Sequence, residues 1–410
     1  MSRERIDTVV IGAGQAGLAA SHLLRQRGRK HVILEQGRIG ETWRSQRWDG
    51  FCLNTPNWGQ QLPGYHYDGP APDAFAPLTE VIAYLEGYAR DDDAPVRTGV
   101  RVTGLRQEPP NGWLVDAGGD ELHAANVVVA TGAFPKPHLP AVAGSASSEV
   151  VELHTSAYRR PEQLPVGGVL VVGSGQSGCQ IADELLRGRR EVYLSVGRCP
   201  WLPRRYRGHD VLHWLIELGL ADQTVDSLPS PEARLACNPA VSGNDGGHDC
   251  NPRWLARHGA VLAGRLEAIE GHRAVFASDL DDNLAKGDEF VATLVSRIDE
   301  HARAASLEVP EEPLRENGPP PAGVDALDLR ESGVGTILWA SGFRPDFRWI
   351  EAPGFDGGDQ PVQTRGVSLL PGLYFVGLHW LHKRKSALFV GVGEDAEHVV
   401  SHLDTNRPEA

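Results

Sequence analysis

At 410 residues the chain is longer than one ordinary core supports, so two domains are expected. Hydrophobic residues at 41% and charged residues at 23% are ordinary globular values and exclude overall disorder. The formal charge of −14 argues against a general affinity for nucleic acid or anionic lipid. The five cysteines, Cys52, Cys179, Cys199, Cys237 and Cys250, have neither CxxC nor CxxxxC spacing. They read as reduced thiols of a cytoplasmic protein, not as a zinc ribbon or a redox pair. No leader-like h-region opens the chain, and no run of about 18 apolar residues suggests a membrane span.

Residues 7–11 form an apolar β-rich run that breaks at the Gly12-Ala13-Gly14-Gln15-Ala16-Gly17 motif. Helical spacing follows over 18–27, then a strand over 32–35, completing one βαβ unit. A Trp-, Pro- and Gly-rich loop region covers 40–69. A helix is expected over 79–89 with Thr79 as N-cap, then a meander over 96–121. A buried strand over 126–130 ends in Thr131-Gly132. A second βαβ unit repeats the first: strand 169–172, the Gly173-Ser174-Gly175-Gln176-Ser177-Gly178 motif, a helix through 186 and a strand over 191–196. A helical excursion occupies about 205–285, with a helix at 211–218 and a loop at 238–250. A helix over 289–305 and a Pro-rich excursion over 308–323 come next. Strand 336–340 ends in Ser341-Gly342, and the chain closes with a strand over 373–376 and a helix from near 394.

The fold class is therefore α/β, with two Rossmann-like dinucleotide-binding domains, the second inserted into the first. The expected divisions are 1–160, 161–330 and 331–410. In the first motif Gly12 permits a tight turn, Gly14 lets the backbone approach a pyrophosphate, and Gly17 lets the helix pack on the sheet. The helix N-terminus at Gln15 and Ala16 offers free N–H groups to the phosphates. Glu35, about 20 residues on, can accept from a ribose diol. In the second motif Gly173, Gly175, Gln176, Ser177 and Gly178 repeat the cradle. Its next strand ends at Ser195 without a carboxylate, and Arg198 follows, a combination that favours a 2′-phosphate and hence NADPH over NADH. Arg204 and Arg205 either extend that site or are solvated. Two dinucleotides in one chain imply hydride transfer between them, nicotinamide C4 to flavin N5.

Nearly the whole chain resembles the class B flavoprotein monooxygenases, which include the flavin-containing monooxygenases and bacterial stand-alone NAD(P)/FAD-dependent oxidoreductases. Besides the two glycine motifs, the ordered matches are Gly40 to Arg44, Leu53 to Pro56, Val128 to Gly132, His154 to Tyr158, Trp339 to Arg344 and Gly372 to Gly377. The resemblance implies FAD at the first motif and NADPH at the second. It adds Gln36, Thr42, Trp43, Arg44, Val102, Ala130, Thr131, Gly132, Ser341, Gly342 and Gly377 to the cofactor-binding positions. It also implies that NADPH reduces FAD, that O2 then forms a C4a-(hydro)peroxyflavin, and that bound NADP+ shields it until a small-molecule substrate arrives. Asn54 matches the active-site Asn; the alternative is an Asn that stabilises its own turn. Trp43 serves either the flavin or the core. His154 matches the family linker and is expected at the hinge between domains.

Ser148 and Val150 replace the linker Phe and Gly of Baeyer–Villiger enzymes, which favours N- or S-oxygenation. An NADPH oxidase or acceptor reductase and a Baeyer–Villiger enzyme are the alternatives. Leu378 stands where many two-dinucleotide flavoproteins place an Asp. His379, Trp380 and Lys385 either line a substrate pocket or form a solvated basic turn. Only Cys52 lies where disulfide reductases place a cysteine pair. His248 and Cys250 match no zinc spacing, so no metal is expected. A homodimer is left open.

Overall fold

The computed structural model describes residues 4–109, 112–198, 200–313, 321–355 and 360–405. Two parallel sheets organise it. The first runs Val96–Thr98, His31–Glu35, Glu4–Ile11, Asp120–Val129 and Leu373–Phe375, all parallel. Its central strands are continuous apolar runs because both faces are covered. Val10, Ile33 and Val128 meet the helices Gln15–Gln26, Leu78–Asp91 and Phe389–Thr405. Val9, Ile11, Val127 and Val129 meet a second core with Trp113, Phe347 and Phe375.

Strand Asp120–Val129 serves two structures at once. One edge pairs in parallel with Glu4–Ile11 from Leu122 to Val129. On the other edge its first half closes an antiparallel meander with Val102–Glu108 and Gly112–Ala117, and its second half takes Leu373–Phe375 in parallel. The meander therefore begins at 102, not 96: Val96–Thr98 is a parallel edge strand beside His31–Glu35.

The second sheet orders Val151–His154, Val334–Trp339, Gly168–Val172, Val192–Ser195 and Val261–Ala263, again all parallel. This pairing differs from the expected divisions at 160/161 and 330/331. Val151–His154 and Val334–Trp339 fall in segments assigned to the FAD domain, yet both hydrogen-bond into the second sheet. No local pattern marks which of two parallel sheets an apolar strand will join.

Three helix starts also differ from expectation, each for a local reason. Leu78–Asp91 begins one residue before Thr79, and Pro77 occupies the N-cap position. Leu280–Ala304 begins nine residues before 289. Gly287 masks the pattern there, but a Cβ at 287 would lie 2.1 Å from the Trp201 ring, so the glycine is a packing necessity. Phe389–Thr405 begins before 394 because Gly391 sits against the Lys385 carbonyl, where a Cβ would come within 2.3 Å. An antiparallel sheet, Leu266–Glu270, Arg273–Phe276 and Ala326–Asp328, was not expected. Part of the expected 308–323 excursion, 314–320, lies outside the described residues.

The two halves are welded together. Trp48 and Phe51, from the loop region after the first βαβ unit, lie in the same core as Val171, Ile181 and Trp214 of the second half. Beside them Tyr158, fully buried, donates its hydroxyl to Glu184 at 2.7 Å. A Cβ at Gly50 would meet the same carboxyl at 2.3 Å.

Two features of this packing have measurable effects on stability. Thr336, fully buried in the middle of the second sheet, has a hydroxyl with no hydrogen-bond partner. Thr336→Val keeps the shape and removes that penalty, so urea unfolding should show a gain of about 1 kcal/mol. Burial pushes the Glu184 carboxyl up from 4.5 to about 7. The folded chain then binds this proton more tightly than the unfolded chain, so its contribution to stability falls as pH rises from 4.5 to about 7 and levels off above. Glu184→Gln, which can still accept from Tyr158, should flatten that segment of the stability–pH curve; an unaltered slope would assign the titration elsewhere.

Candidate functional site: two phosphate cradles and the loop between them

Each glycine motif turns from a strand into a helix with the same geometry. Gly12 has φ +107 and Gly173 φ +111, a region that favours glycine. A Cβ at Gly12 would lie 2.6 Å from the Ala130 carbonyl oxygen; one at Gly173 would lie 2.6 Å from that of Ala340. At Gly17 and Gly178 it would lie 1.9 Å from the carbonyl oxygens of Gly12 and Gly173. Gly14 is different: a Cβ there would meet nothing within 4 Å. The chain's own packing does not call for that glycine, whereas a diphosphate drawn against the backbone would. Helices Gln15–Gln26 and Gln176–Arg187 carry no side-chain cap at Gly14 or Gly175, although Asp210 and Asn251 cap other helices. Their first N–H groups are thus left for a ligand. Both cradles fit the phosphates of a dinucleotide.

Glu35 ends its strand buried, one carboxylate oxygen accepting from Ala13 N at 2.8 Å and the other from Gly37 N at 2.9 Å. These two bonds lock the carboxylate beside the first turn and leave further lone pairs for a ribose. Gln36, next to it, is exposed.

The second half departs from the reading of Ser195. Gly12 N donates to the Leu34 carbonyl, and Gly173 N donates to that of Ser195. Ser195 therefore corresponds to Leu34, and the position of Glu35 is held by Val196, which is fully buried. The Ser195 hydroxyl is committed inside the fold, donating to Gly264 O and accepting from Leu266 N, both at 3.0 Å. It pins neighbouring segments and is not presented to a nucleotide. Arg198 is exposed just beyond Gly197, whose N–H is held by Ser174 Oγ. No carboxylate stands at the ribose position, and a guanidinium lies two residues on.

Around the first cradle, Trp43 Nε1 donates to Gln15 Oε1 at 3.2 Å, and Gln15 Nε2 donates to Ala387 O at 3.2 Å. The Trp43 ring stacks on Phe389 at 6.0 Å. Gly377, at φ +80, closes on Ala16, where a Cβ would lie 2.5 Å away. Ala130 N donates to Ile11 O, placing Thr131 and Gly132 at the mouth of the first turn. Arg44 turns outward to Glu86 and to Ile39 O, while Thr42 is exposed. Val102 packs against the core of the first sheet's second face.

The hinge is built on His154. Its Nδ1 accepts from Ser156 N at 3.1 Å, so its Nε2 carries the proton that bonds Gly342 O at 3.0 Å. Burial lowers its pKa. With both ring nitrogens engaged, His154 ties the linker to the Ser341-Gly342 turn. Ser341 completes that tie by donating to His138 O.

Asn54 lies between the halves. Its side-chain oxygen accepts from Gln180 Nε2 at 2.6 Å, and its backbone oxygen accepts from Arg204 Nη1 at 3.0 Å. Gln180 and Arg204 are both buried and both belong to the second half. Arg204 also pairs with Asp210 and lies over Phe75 at 4.7 Å, so it is neither solvated nor a phosphate ligand. Only the tertiary fold reveals the Gln180 contact.

The basic turn after Leu378 is likewise engaged. Lys383 and Lys385 both pair with Asp222 and Glu394 at 2.6–3.0 Å, and Thr224 bridges Lys383 through the backbone. This clasp docks the excursion onto the C-terminal segment. His379 is pushed down to about 4 by burial and is neutral at ordinary pH. Asp183, His248 and Cys250 bring ligand-type atoms within 4.8 Å of one another. Arg187 spans both oxygens of Asp183 at 3.1 and 2.7 Å, so the carboxylate is already neutralised.

Comparison with known proteins agrees with this geometry. The family model described as pyridine nucleotide-disulphide oxidoreductase matches residues 9–217. The chain is 34% identical over 386 residues to the indole-3-pyruvate monooxygenase YUCCA1 of Oryza sativa subsp. japonica, covering 90% of the chain and 86% of the relative. The protein belongs to the flavin monooxygenase family. A second relative, an oxidoreductase called CzcO-like from Geobacillus kaustophilus, is 33% identical over 97% of the chain and 98% of its own length. A flavin-containing monooxygenase from Stenotrophomonas maltophilia shares the fold with TM-score 0.67 and 21% identity, over 98% of this chain and 99% of that one. In this flavin monooxygenase family member Cys52 is a free, half-buried thiol whose pKa burial raises, not a partner in a redox pair.

The second cradle yields a prediction. Arg198→Ala should raise the apparent NADPH constant about tenfold or more and leave the NADH constant nearly unchanged, measured by steady-state cofactor oxidation. Equal effects on the two cofactors would remove the case for a 2′-phosphate contact.

Proposed function

We propose that this protein is an NADPH-dependent FAD monooxygenase that transfers one oxygen atom of O2 to a small nucleophilic N- or S-containing substrate. Its family makes it a flavin-dependent oxidoreductase with FAD and NADPH as cofactors. The observation that carries the reading is the pair of matched cradles in one chain, with Asn54 of the first half held by Gln180 of the second.

The first cradle would hold FAD: Gly12 and Gly14 admit the diphosphate, and the Glu35 carboxylate accepts from its ribose. The second would hold NADPH, with Gly173 and Gly175 at the diphosphate and Arg198 toward the 2′-phosphate. When bound, FAD supplies hydride acceptance and the activation of O2. The chain's own contribution is placement and dryness. Gln15 ties Trp43 to Ala387 and so fixes the wall beside the first cradle. Asn54 offers its remaining N–H groups to whatever acceptor lies in the cleft. His154 spends its single N–H on Gly342 O and His379 is held neutral by burial, which suits chemistry in which the cofactor performs the oxygen transfer.

Ser148 and Val150 in the linker favour heteroatom oxygenation over a Baeyer–Villiger reaction. A cytoplasmic setting is part of the proposal and rests on the free cysteines; among the described residues no helix is long and apolar enough to cross a membrane.

Stopped-flow spectroscopy of the NADPH-reduced holoenzyme tests the reading. Mixing with O2 should give an absorbance lying between the oxidised and reduced flavin bands, which persists until an amine or sulfide is added. Immediate return of oxidised flavin with stoichiometric peroxide would make the protein an oxidase, and failure of NADPH to bleach the flavin would make it neither.

A further inference from the structure

Gln180 lies one turn into the helix that opens at the second cradle, and it is 3% exposed. Its Nε2 donates to Val241 O at 2.8 Å and to Asn54 Oδ1 at 2.6 Å. A peptide carbonyl can only accept, so Val241 decides which end of the Gln180 amide points that way. An amide NH2 has two hydrogens, and here each has its own acceptor. Asn54 must then turn its oxygen to Gln180 and its own NH2 away from it. The backbone of Asn54 is held too, because Arg204, anchored by Asp210, donates to its carbonyl oxygen.

We propose that Gln180 is a positioning residue that holds the Asn54 amide in one of its two orientations, NH2 outward, so that this loop acts as a hydrogen-bond donor in the cleft. The proposal rests on the oxygenase reading for what Asn54 donates to, but not for the orientation itself. It also gives the second nucleotide site a direct lever on the flavin side. The helix that receives the diphosphate at its N-terminus carries Gln180 on its next turn, so the first half's loop is set by the second half's ligand helix.

The decisive variant is Gln180→Glu. An ionised carboxylate accepts and does not donate, so it turns away from the Val241 carbonyl and Asn54 is expected to flip, giving its NH2 to the introduced carboxylate and turning its oxygen into the cleft. The flip is read without flavin chemistry, from the side-chain amide resonances of the 15N-asparagine-labelled protein, with the Asn54 signal assigned by its loss in Asn54→Asp. In the wild type those protons should exchange freely with water; in Gln180→Glu they should be protected at least about tenfold. Equal protection in both proteins, or protection already present in the wild type, overturns the proposal.

On the holoenzyme, Gln180→Glu should shorten the lifetime of the oxygenated absorbance by about tenfold more than it slows reduction by NADPH, and adding Asn54→Ala should bring no further loss. Additive losses, or loss of flavin content and melting temperature in parallel, would make Gln180 merely structural. If the wild type gives no oxygenated absorbance, the oxygenase reading fails, while the amide measurement still decides the orientation.

Discussion

The structure depends on two backbone approaches that exclude any side chain: Gly17 against the carbonyl of Gly12, and Gly178 against that of Gly173. Each lets a helix start directly over the end of its strand, which sets the helix N-terminus at the carboxyl edge of a parallel sheet. From that placement the rest follows. The return strands must pass close beside each turn, and they do, bringing the Ala130 and Ala340 carbonyls against Gly12 and Gly173. The turns that leave those strands, at Thr131-Gly132 and Ser341-Gly342, are then the natural crossing points between halves. His154 binds one of them with its single N–H.

A repeat of this kind would give two independent nucleotide-binding lobes if the contacts ended there. Instead the segment after the first βαβ unit, with Trp48 and Phe51, is buried in the second half's core. The excursion reaches back in turn, pairing Asp222 with Lys383 and Lys385 of the C-terminal segment. Both exchanges run across the same division, so the cleft has walls supplied by the opposite half. Apolar burial provides most of the cohesion; the lysine–carboxylate clasp is partly exposed and adds mainly register.

How much of this the sequence made legible depends on whether the signal was local. The cradles were legible because a glycine motif between a strand and a helix admits few geometries, and Glu35 follows at a fixed spacing. The second ribose position was legible only to within one residue. The expected end of the strand pointed to Ser195, whereas the hydrogen bond from Gly173 N puts Val196 there, and only strand register distinguishes the two. The helices at Leu280–Ala304 and Phe389–Thr405 were shortened in the sequence by Gly287 and Gly391, glycines whose reason is a distant ring and a carbonyl. The hairpin Leu266–Glu270 to Arg273–Phe276 had its signal in Gly271, which takes φ +60 at the turn. The partners of Lys385 and Asn54 include Asp222 and Gln180, far off in the chain, so no spacing argument could reach them.

The missing carboxylate at position 196 bears on cofactor choice more strongly than the presence of Arg198. A carboxylate at the end of that strand would desolvate next to a 2′-phosphate and repel it, whereas an exposed arginine is worth little until something anionic arrives. In a chain of net charge −14 the surrounding field is unfavourable to a phosphate, so a neutral floor is the first requirement. Val196 meets it by filling the position with a buried side chain. Glu35 shows the opposite solution in the same geometry: its charge is held down by Ala13 N and Gly37 N, two donors that a 2′-phosphate could not displace. The two halves of one repeat thus differ in charge at a single structurally equivalent residue.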